Sequence, residues 1–165
     1  MGKVTRLGYV PAHRQPEVKW RMVEHVKKIG EHTVGVGEDD DTLALNLRGD
    51  VAPEQVQQFF DFMESWSAGR GYVLVTGDVS QLGTISAEAR KLVSRHARRV
   101  PIRGVVYYGA SFAAKLISTL VVSGYSFVTG ADISLHFVDD AAEARVWLAK
   151  RRAQLQAEAK GGGAT

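Results

Sequence analysis

The sequence predicts an α/β protein built as a single domain, with a mixed sheet of about five strands flanked by about four helices. The length of 165 residues suits one domain with its own core. Short β-branched runs alternate with longer segments whose apolar residues recur at helical spacing. Two alternating runs open this pattern as a hairpin, and a helix follows each later strand, which favours parallel pairing through right-handed crossovers.

The N-terminal region, residues 1–28, is predicted to be an extension that is partly disordered or forms a short helix. Glycine and proline interrupt any pattern over residues 1–16, whereas apolar residues at helical spacing predict a helix over residues 17–29. Met22 is a candidate alternative start, because the patterned region begins shortly after it. The first residues lack the apolar core of a signal peptide.

Two strands are predicted over residues 33–37 and 42–48, where valine and leucine alternate with other residues. Residues 38–41, which connect them, are all carboxylates. One interpretation of this run is a site for a hard cation, and the other is a solvated hairpin turn. The turn is favoured, because the run lacks the alternating ligands and the distal glutamate of a calcium loop.

The next predicted element is a helix from Pro53, a residue that suits a first helical turn, to about Ser67. Its apolar face is typical of core packing. That face consists of Val56, Phe59, Phe60, Met63 and Trp66. A buried strand is predicted to follow over residues 72–78.

Residues 78–87 are predicted to form a polar loop that leads into a helix over residues 86–99. Ser86 is the predicted N-cap of this helix, and Glu88 lies in the first turn, where the helix dipole favours negative charge. Hydroxyls beside a helix N-terminus suit an anion or a regulatory phosphate, although a plain strand-to-helix connection is the alternative. The candidate site residues of this loop are Asp78, Ser80, Thr84 and Ser86.

The helix after this loop carries the strongest local positive charge in the chain. We predict a basic contact surface formed by Arg90, Lys91 and Arg95. Such a surface suits phosphates, an anionic membrane surface or an acidic partner. The alternative is a solvated helix whose last-turn arginines complement the helix dipole.

The C-terminal third is predicted to contain a strand over residues 103–108, a helix over 112–123, a strand over 133–137, and a helix to residue 157 capped by Asp139 or Asp140. The helix over residues 112–123 is apolar on nearly every side. This composition predicts that it is buried, lines a pocket or forms a homodimer contact. Residues 158–165 are predicted to be a flexible tail.

The composition speaks against several classes of function. Cysteine is absent, which excludes disulfides and thiolate chemistry and predicts a cytoplasmic protein. A net charge of +3 does not imply nucleic-acid binding, and the longest apolar run is too short for a membrane span. The histidines show no metal-ligand spacing, and no nucleophile elbow, Walker loop or dinucleotide fingerprint occurs. We therefore expect a non-enzymatic protein with no metal and no cofactor.

Three segments carry a resemblance to a known family. The first is Asp78-Val79-Ser80, then Leu82-Gly83 and Ile85-Ser86-Ala87-Glu88-Ala89-Arg90, and the others are residues 104–112 and 142–149. In this order they resemble the SpoIIAA-like family, bacterial proteins related to STAS domains and to the anti-sigma factor antagonist fold. The similarity covers roughly residues 29–152 and implies a STAS-like domain over residues 29–157.

The resemblance implies a regulatory module that binds a protein partner through the loop over residues 78–87 and the adjacent basic helix. In partner-switching systems, an antagonist of this kind binds an anti-sigma factor or kinase, and phosphorylation of a loop serine or threonine releases it. Typical antagonists carry Asp-Ser or Asp-Thr at the start of the helix, whereas Ala87 stands at the acceptor position in this sequence. Binding without phosphorylation is therefore equally open.

SpoIIAA-like proteins are also similar to the CRAL-TRIO lipid-binding fold. This similarity implies an alternative function, the binding of a small molecule or lipid in an apolar pocket, and the apolar helix over residues 112–123 motivates it. An enzyme whose site the sequence does not display is the third alternative, and it ranks last.

Overall fold

Strands and helices alternate along the chain after an opening antiparallel meander. The computed structural model describes residues 24–162. The strands in this range are β1 (Glu24–Ile29), β2 (His32–Val36), β3 (Thr42–Val51), β4 (Val73–Ile85), β5 (Ile102–Tyr108) and β6 (Ser134–Val138). The helices are α1 (Pro53–Ser67), α2 (Ala87–His96), α3 (Phe112–Thr129) and α4 (Ala141–Gly161), and a 3₁₀ turn (Ala97–Arg99) follows α2. The predicted α/β class is confirmed, with one strand more than expected.

All six described strands form one mixed sheet in the order β1-β2-β3-β4-β5-β6. The first three strands pair antiparallel, and β3 to β6 pair parallel. Helices α1, α2 and α3 pack on one face of the sheet, over a core that includes Val75 and Val105. The other face, which includes Leu74 and Val106, is covered by α4. Because successive strand residues point to opposite faces, each central strand contributes to both cores.

Residues 24–29 form a strand, so the helix predicted over residues 17–29 is wrong where the structure describes it. Ile29 pairs with His32 across a two-residue turn. Gly30 in this turn has a φ of +61°, a conformation that glycine adopts without strain. A short loop that begins with glycine favours a hairpin, and pairing with β2 outweighs the helical spacing of the run. Residues 17–23, including Met22, lie outside the described residues.

Helix α3 continues beyond its predicted end at Ser123. The dipeptide Ser123-Gly124 suggests a helix terminus, but Gly124 lies inside the helix and against α2. A Cβ added at Gly124 would lie 3.0 Å from Ser94 Oγ, so the glycine allows close approach of the two helices. The helix ends instead at Gly130, which has a left-handed φ of +66°.

Helix α4 begins after one of the two predicted N-cap residues but ends later than predicted. Asp140 is its N-cap, and the Asp140 carboxylate accepts a hydrogen bond from Glu143 N at 2.9 Å. The helix runs to Gly161, so residues 158–161 are helical and do not belong to the predicted flexible tail. Alanine, glutamate and lysine in this stretch are strong helix formers, which explains the extension.

The acidic segment between β2 and β3 is a hairpin turn, as predicted, and three of its four carboxylate residues are exposed. It is also docked against α4, which the prediction did not include. Arg152 forms a bidentate ion pair with Asp41, at 2.7 and 2.8 Å, and a 3.0 Å contact with Asp39. Arg145, two turns earlier in α4, pairs with Glu38 at 2.7 Å. The Tyr72 hydroxyl also donates to Asp41 at 2.9 Å. These contacts hold α4 to the turn.

We expect the substitution Arg152→Gln to lower the free energy of unfolding by roughly 1–2 kcal/mol at neutral pH, because Asp41 loses its bidentate partner. Burial raises the pKa of Asp41, but hydrogen bonds from Arg152, Thr42 and Tyr72 outweigh it and hold that pKa below its ordinary value of 3.8. Such a carboxylate stabilises the fold above its unfolded pKa, and this stabilisation disappears as the pH falls through the folded pKa.

Urea unfolding at neutral pH and at a series of pH values below about 5 measures both effects of this substitution. The wild-type protein should lose more stability on acidification than Arg152→Gln does. Lys160→Gln, an exposed change near the end of the same helix, serves as the control. Equal acid sensitivity of the wild type and Arg152→Gln would contradict the role assigned to the Arg152–Asp41 pair.

Candidate functional site

The segment predicted as a loop over residues 78–87 is mostly the outer part of β4, which runs to Ile85 beside the end of β3. This prediction was wrong because a side chain from β3 stabilises the extended conformation. Asp50 Oδ1 accepts hydrogen bonds from Thr84 N at 2.7 Å and from the Thr84 hydroxyl at 3.0 Å. Gly83 permits this approach, since an added Cβ would lie 2.3 Å from Asp50 Oδ1.

A buried histidine fixes the end of β3 from the side of β2. Arg48 N donates to His32 Nδ1 at 3.0 Å, so the ring proton is on Nε2. Nε2 lies 3.0 Å from Asp50 O and 3.1 Å from Gln55 Oε1. Gln55 Oε1 also accepts from Ala52 N at 2.9 Å, which caps the first turn of α1. One histidine therefore connects β2, the end of β3 and the start of α1.

The four candidate residues of this segment do not converge on one centre. They are spread along an extended strand over roughly 25 Å, given about 3.3 Å per residue. Asp78 accepts from Ser80 N at 2.9 Å, and the exposed Ser80 hydroxyl has no hydrogen-bond partner among residues 24–162. Ser86 accepts from Ala89 N at 3.1 Å, which confirms it as the N-cap of α2. The segment therefore presents separate polar groups on a surface.

The hydroxyl of Thr84 is engaged with Asp50 rather than available to a partner. Hydrogen bonds from the Thr84 backbone N–H and from its hydroxyl lower the pKa of Asp50. Ala87, at the position where the resemblance places a phosphoacceptor, is exposed at the first residue of α2. The neighbouring exposed hydroxyl is that of Ser86, which already caps the helix.

The arginines of the predicted basic helix divide into structural and exposed groups. Arg90 is half-buried and donates to Ile85 O at 2.6 Å, so it holds the junction between β4 and α2. Arg99 pairs with Asp61 and Glu64 of α1. Lys91 and Arg95 are exposed, so both stay candidates for the predicted contact surface. The exposed Arg98, not among the predicted contact residues, also donates to Val128 O of α3 at 3.0 Å.

Helix α3 is apolar on two opposite sides. One side packs on the sheet through buried residues that include Ala114 and Tyr125. The other side presents four large apolar side chains to solvent, and their positions place them on one stripe of the helix. They are Phe112 (83% exposed), Leu116 (57%), Leu120 (55%) and Phe127 (89%). The prediction that this helix is buried therefore holds for one side only.

The length of α3 also corrects an expectation about membranes. Its 18 residues are long and apolar enough to cross a membrane, judged by length and composition alone, whereas the sequence pattern suggested that no run was long enough. No other helix among residues 24–162 meets this criterion. In the domain, α3 instead lies against β4 and α2.

The exposed stripe of α3 lies beside the basic side of α2. The helices pack closely at Gly124 and Ser94, and Arg98 reaches across to the end of α3. Single exposed apolar residues are ordinary, whereas a stripe of four is a candidate interaction site. We use the name α2–α3 surface for the exposed basic residues of α2 together with this stripe. Its members are Lys91, Arg95, Arg98, Phe112, Leu116, Leu120 and Phe127.

An apolar cavity of about 130 Å³ lies between the sheet and the helices α1, α2 and α3. Its lining includes Phe60, Met63, Val93 and Val121. Val121 belongs to the apolar helix for which lining a pocket was one of the predicted roles, whereas the contributions of the other elements to the lining were not predicted from the sequence. Tyr107 contributes a ring to the lining, and burial raises the pKa of its hydroxyl to about 12. The cavity is therefore an almost wholly apolar space.

The described residues hold no metal centre, since no cluster of three or more His, Asp or Glu side chains within residues 24–162 could bind an ion. His96 of α2 packs beside Phe60, with the two ring centroids 5.5 Å apart. The α2–α3 surface offers a partner apolar contact and positive charge.

Comparison with known proteins identifies the fold. No protein-family model and no curated protein sequence matches the chain. Among solved structures, the chain is similar to an uncharacterised DUF3478-family protein with a SpoIIAA-like fold from Shewanella loihica PV-4. The two share 21% sequence identity and superpose with a TM-score of 0.53, and the match covers 76% of this chain and 99% of that chain. The anti-sigma factor antagonist SpoIIAA in its unphosphorylated form follows at 13% identity and a TM-score of 0.43, over 76% and 96% of the two chains, which is too slight to carry an argument. The chain therefore has a SpoIIAA-like fold.

Proposed function

We propose that this protein is a non-enzymatic regulatory module, cytoplasmic and bacterial, that binds a protein partner through the α2–α3 surface and the adjacent end of β4. The observation that carries the proposal is the stripe of four exposed apolar side chains on α3. Leaving so much apolar surface in water costs free energy that binding recovers, at about 25 cal/mol per Å². An anti-sigma factor or a kinase is the partner class that the resemblance implies.

The charge beside the stripe defines the chemistry of the partner. The exposed residues Lys91 and Arg95 lie on α2, the helix that packs beside α3, and the exposed Arg98, in the 3₁₀ turn after α2, reaches α3 itself through Val128 O. A fitting partner surface has an apolar centre flanked by aspartate or glutamate, because complementary charges steer association and fix register. Phosphorylation of Ser80, whose exposed hydroxyl lies in the outer part of β4, would add negative charge to the part of the proposed contact that β4 contributes and would weaken binding to an acidic partner.

The experiment that tests this proposal is photo-crosslinking in the native host. A photoreactive phenylalanine analogue replaces Phe127, the most exposed residue of the stripe, and in a matched strain it replaces Val26, which is 57% exposed in β1. We expect one protein to be crosslinked from position 127 and not from position 26. Equal crosslinking from both positions, or none from either, would refute a partner site on α3.

Charge reversal of the basic residues gives a second expected result. The double variant Lys91→Glu and Arg95→Glu should bind the crosslinked partner on the order of tenfold more weakly, because two exposed charges at the rim of the interface become repulsive. Binding of the wild type should also weaken as salt is raised, and that of the variant should not. Titration calorimetry at two salt concentrations measures both effects.

The matched control for this reversal is Lys27→Glu with Lys28→Glu, two exposed lysines of β1 on the opposite edge of the sheet. It changes net charge by the same amount without touching the α2–α3 surface. If the control weakens binding as much as the test variant does, net charge alone explains the effect and the basic helix is not a specific contact.

The cavity favours a second candidate function, the binding of a small apolar molecule. A cavity of about 150 Å³ lined by Leu, Ile and Phe stays dry and binds benzene or xenon, and the present one is about 130 Å³. We expect benzene to shift the methyl resonances of Val93 and Val121 in NMR spectra and to raise the unfolding free energy by a few tenths of a kcal/mol or more. Val93→Phe, which fills the cavity, should abolish the shifts, and unshifted wild-type methyls would remove this candidate.

A further inference from the structure

The two outer edges of the sheet differ in how they are protected. At one edge, β1 carries Lys27 and Lys28 and a shift of register between Glu24 and Lys27. Charged side chains and irregular pairing of this kind discourage a further strand from adding. At the other edge, β6 consists of Ser-Leu-His-Phe-Val, with no charge, proline or bulge. No strand within residues 24–162 pairs with its outer side.

Each face of β6 borders a groove rather than a covering element. Towards α3, the groove is lined by Leu135 and Phe137 together with the short side chains of Thr119, Ser123 and Ser126. Such short side chains allow another helix to approach closely. Towards α4, His136 stacks on Trp147 with ring centroids 6.0 Å apart. The edge is therefore open along its backbone and on both faces.

The α4 side of this edge carries opposite charges at its two ends. Glu143 lies at the carboxyl end of β6, since Asp139 N donates to its carboxylate at 2.8 Å. Helix α4 turns back along β6 after a short connection, so Lys150, two turns later, lies towards the amino end of the strand. Between them lies Val146, a large apolar side chain that is 58% exposed.

This pattern is self-complementary under a two-fold rotation. When two copies of β6 pair antiparallel, the carboxyl end of one strand meets the amino end of the other. Glu143 then faces the partner subunit's Lys150, and Lys150 faces the partner subunit's Glu143. Val146 lies near the axis, where it meets the partner's Val146 and is removed from water. Charges of the same sign at both ends of the strand would instead have repelled each other in this pairing.

We propose that the β6 edge is the site of homodimer formation, at which a second copy of this chain adds its β6 antiparallel and extends the sheet. The contact joins β-strand addition with flanking helix contacts on both faces, a recognised mode of association. It lies on β6 and α4, apart from the basic residues of α2, so dimerisation and the proposed partner binding are separate properties.

A charge-swap experiment on the full chain tests this dimer. Lys150→Glu places Glu143 opposite the partner subunit's glutamate, and Glu143→Lys places two lysines together. We expect sedimentation velocity to show the wild type at about twice its 18.0 kDa mass and each variant with a dimer dissociation constant on the order of tenfold higher or more. An equimolar mixture of the two variants should regain the dimer, because every facing pair is then opposite in sign.

Two controls keep the outcome decisive. Lys160→Glu, near the end of α4 and away from the groove, should leave the dimer unchanged. Thermal melts check that Glu143→Lys, which alters the first turn of α4, remains folded. A wild type that stays monomeric at all concentrations overturns the proposal, and protected β6 amides in such a monomer would show that another segment of the same chain covers the edge. A dimer unaffected by either swap also overturns it.

Discussion

Replacing Leu116 and Leu120 by glutamine should weaken binding of the protein partner on the order of a hundredfold while the free protein remains as stable as the wild type. Both side chains are more than half exposed, so their loss removes little from the core. In a complex, each would bury its apolar surface near the centre of the stripe. Truncating a side chain at such a position typically costs about one to two kcal/mol of binding free energy or more. Glutamine keeps α3 intact, because its helix propensity is close to that of leucine.

Titration calorimetry and urea unfolding measure these two quantities on the same preparations. Val26→Gln provides the matched control, since Val26 is 57% exposed but lies outside α3, in the edge strand β1. It should leave the dissociation constant within a factor of about two. Undiminished affinity of the Leu116/Leu120 variant would show that the stripe on α3 is not the contact.

The largest loss of stability is expected from His32→Ala, at about 3–4 kcal/mol. The ring is almost wholly buried, and its removal leaves Arg48 N and Asp50 O without their partners as well as a cavity. Because the same ring holds the end of β3, the paired outer part of β4 should also loosen. Amide hydrogen exchange should accelerate at Thr84, while the amides of β5 and β6 change only with global stability.

His136→Ala is the matched control for this substitution, because His136 is exposed in β6. It should cost about 1 kcal/mol or less. A loss of stability below that level in His32→Ala would show that the hydrogen bonds of His32 are readily replaced by water. The histidine would then not be the element that fixes the β3–β4 region.

The sequence predicts those parts of the fold that depend on local pattern. The α/β class follows from alternating periodicities, and the N-cap at Ser86 follows from local side-chain chemistry. The helix predicted over residues 17–29 was wrong over residues 24–29, the part that the structure describes, because its spacing fits a helix while the two-residue turn at Gly30 favours a hairpin. Local propensity yields to strand pairing in such short runs.

The surface was harder to predict, since it depends on contacts between residues distant in sequence. The hydrogen bond from Thr84 N to Asp50 stabilises a strand where a loop was expected, and no local sequence pattern predicts this bond. Arg90 looks like its neighbours Lys91 and Arg95 in the sequence, but the carbonyl of Ile85 engages it. The apolar composition of α3 was visible, but which of its sides faces water depends on how the sheet and α2 pack against it.

Methyl cross-saturation NMR on the complex with the crosslinked partner tests the central claim most directly. Saturation passes from the partner only to methyl groups that touch it, so the measurement maps the contact on this protein without any substitution. We predict the largest intensity losses at the methyls of Leu116 and Leu120, with none at Val26. Losses confined to β1, or to methyls of α4 such as Val146, would contradict the account and place the partner on another face.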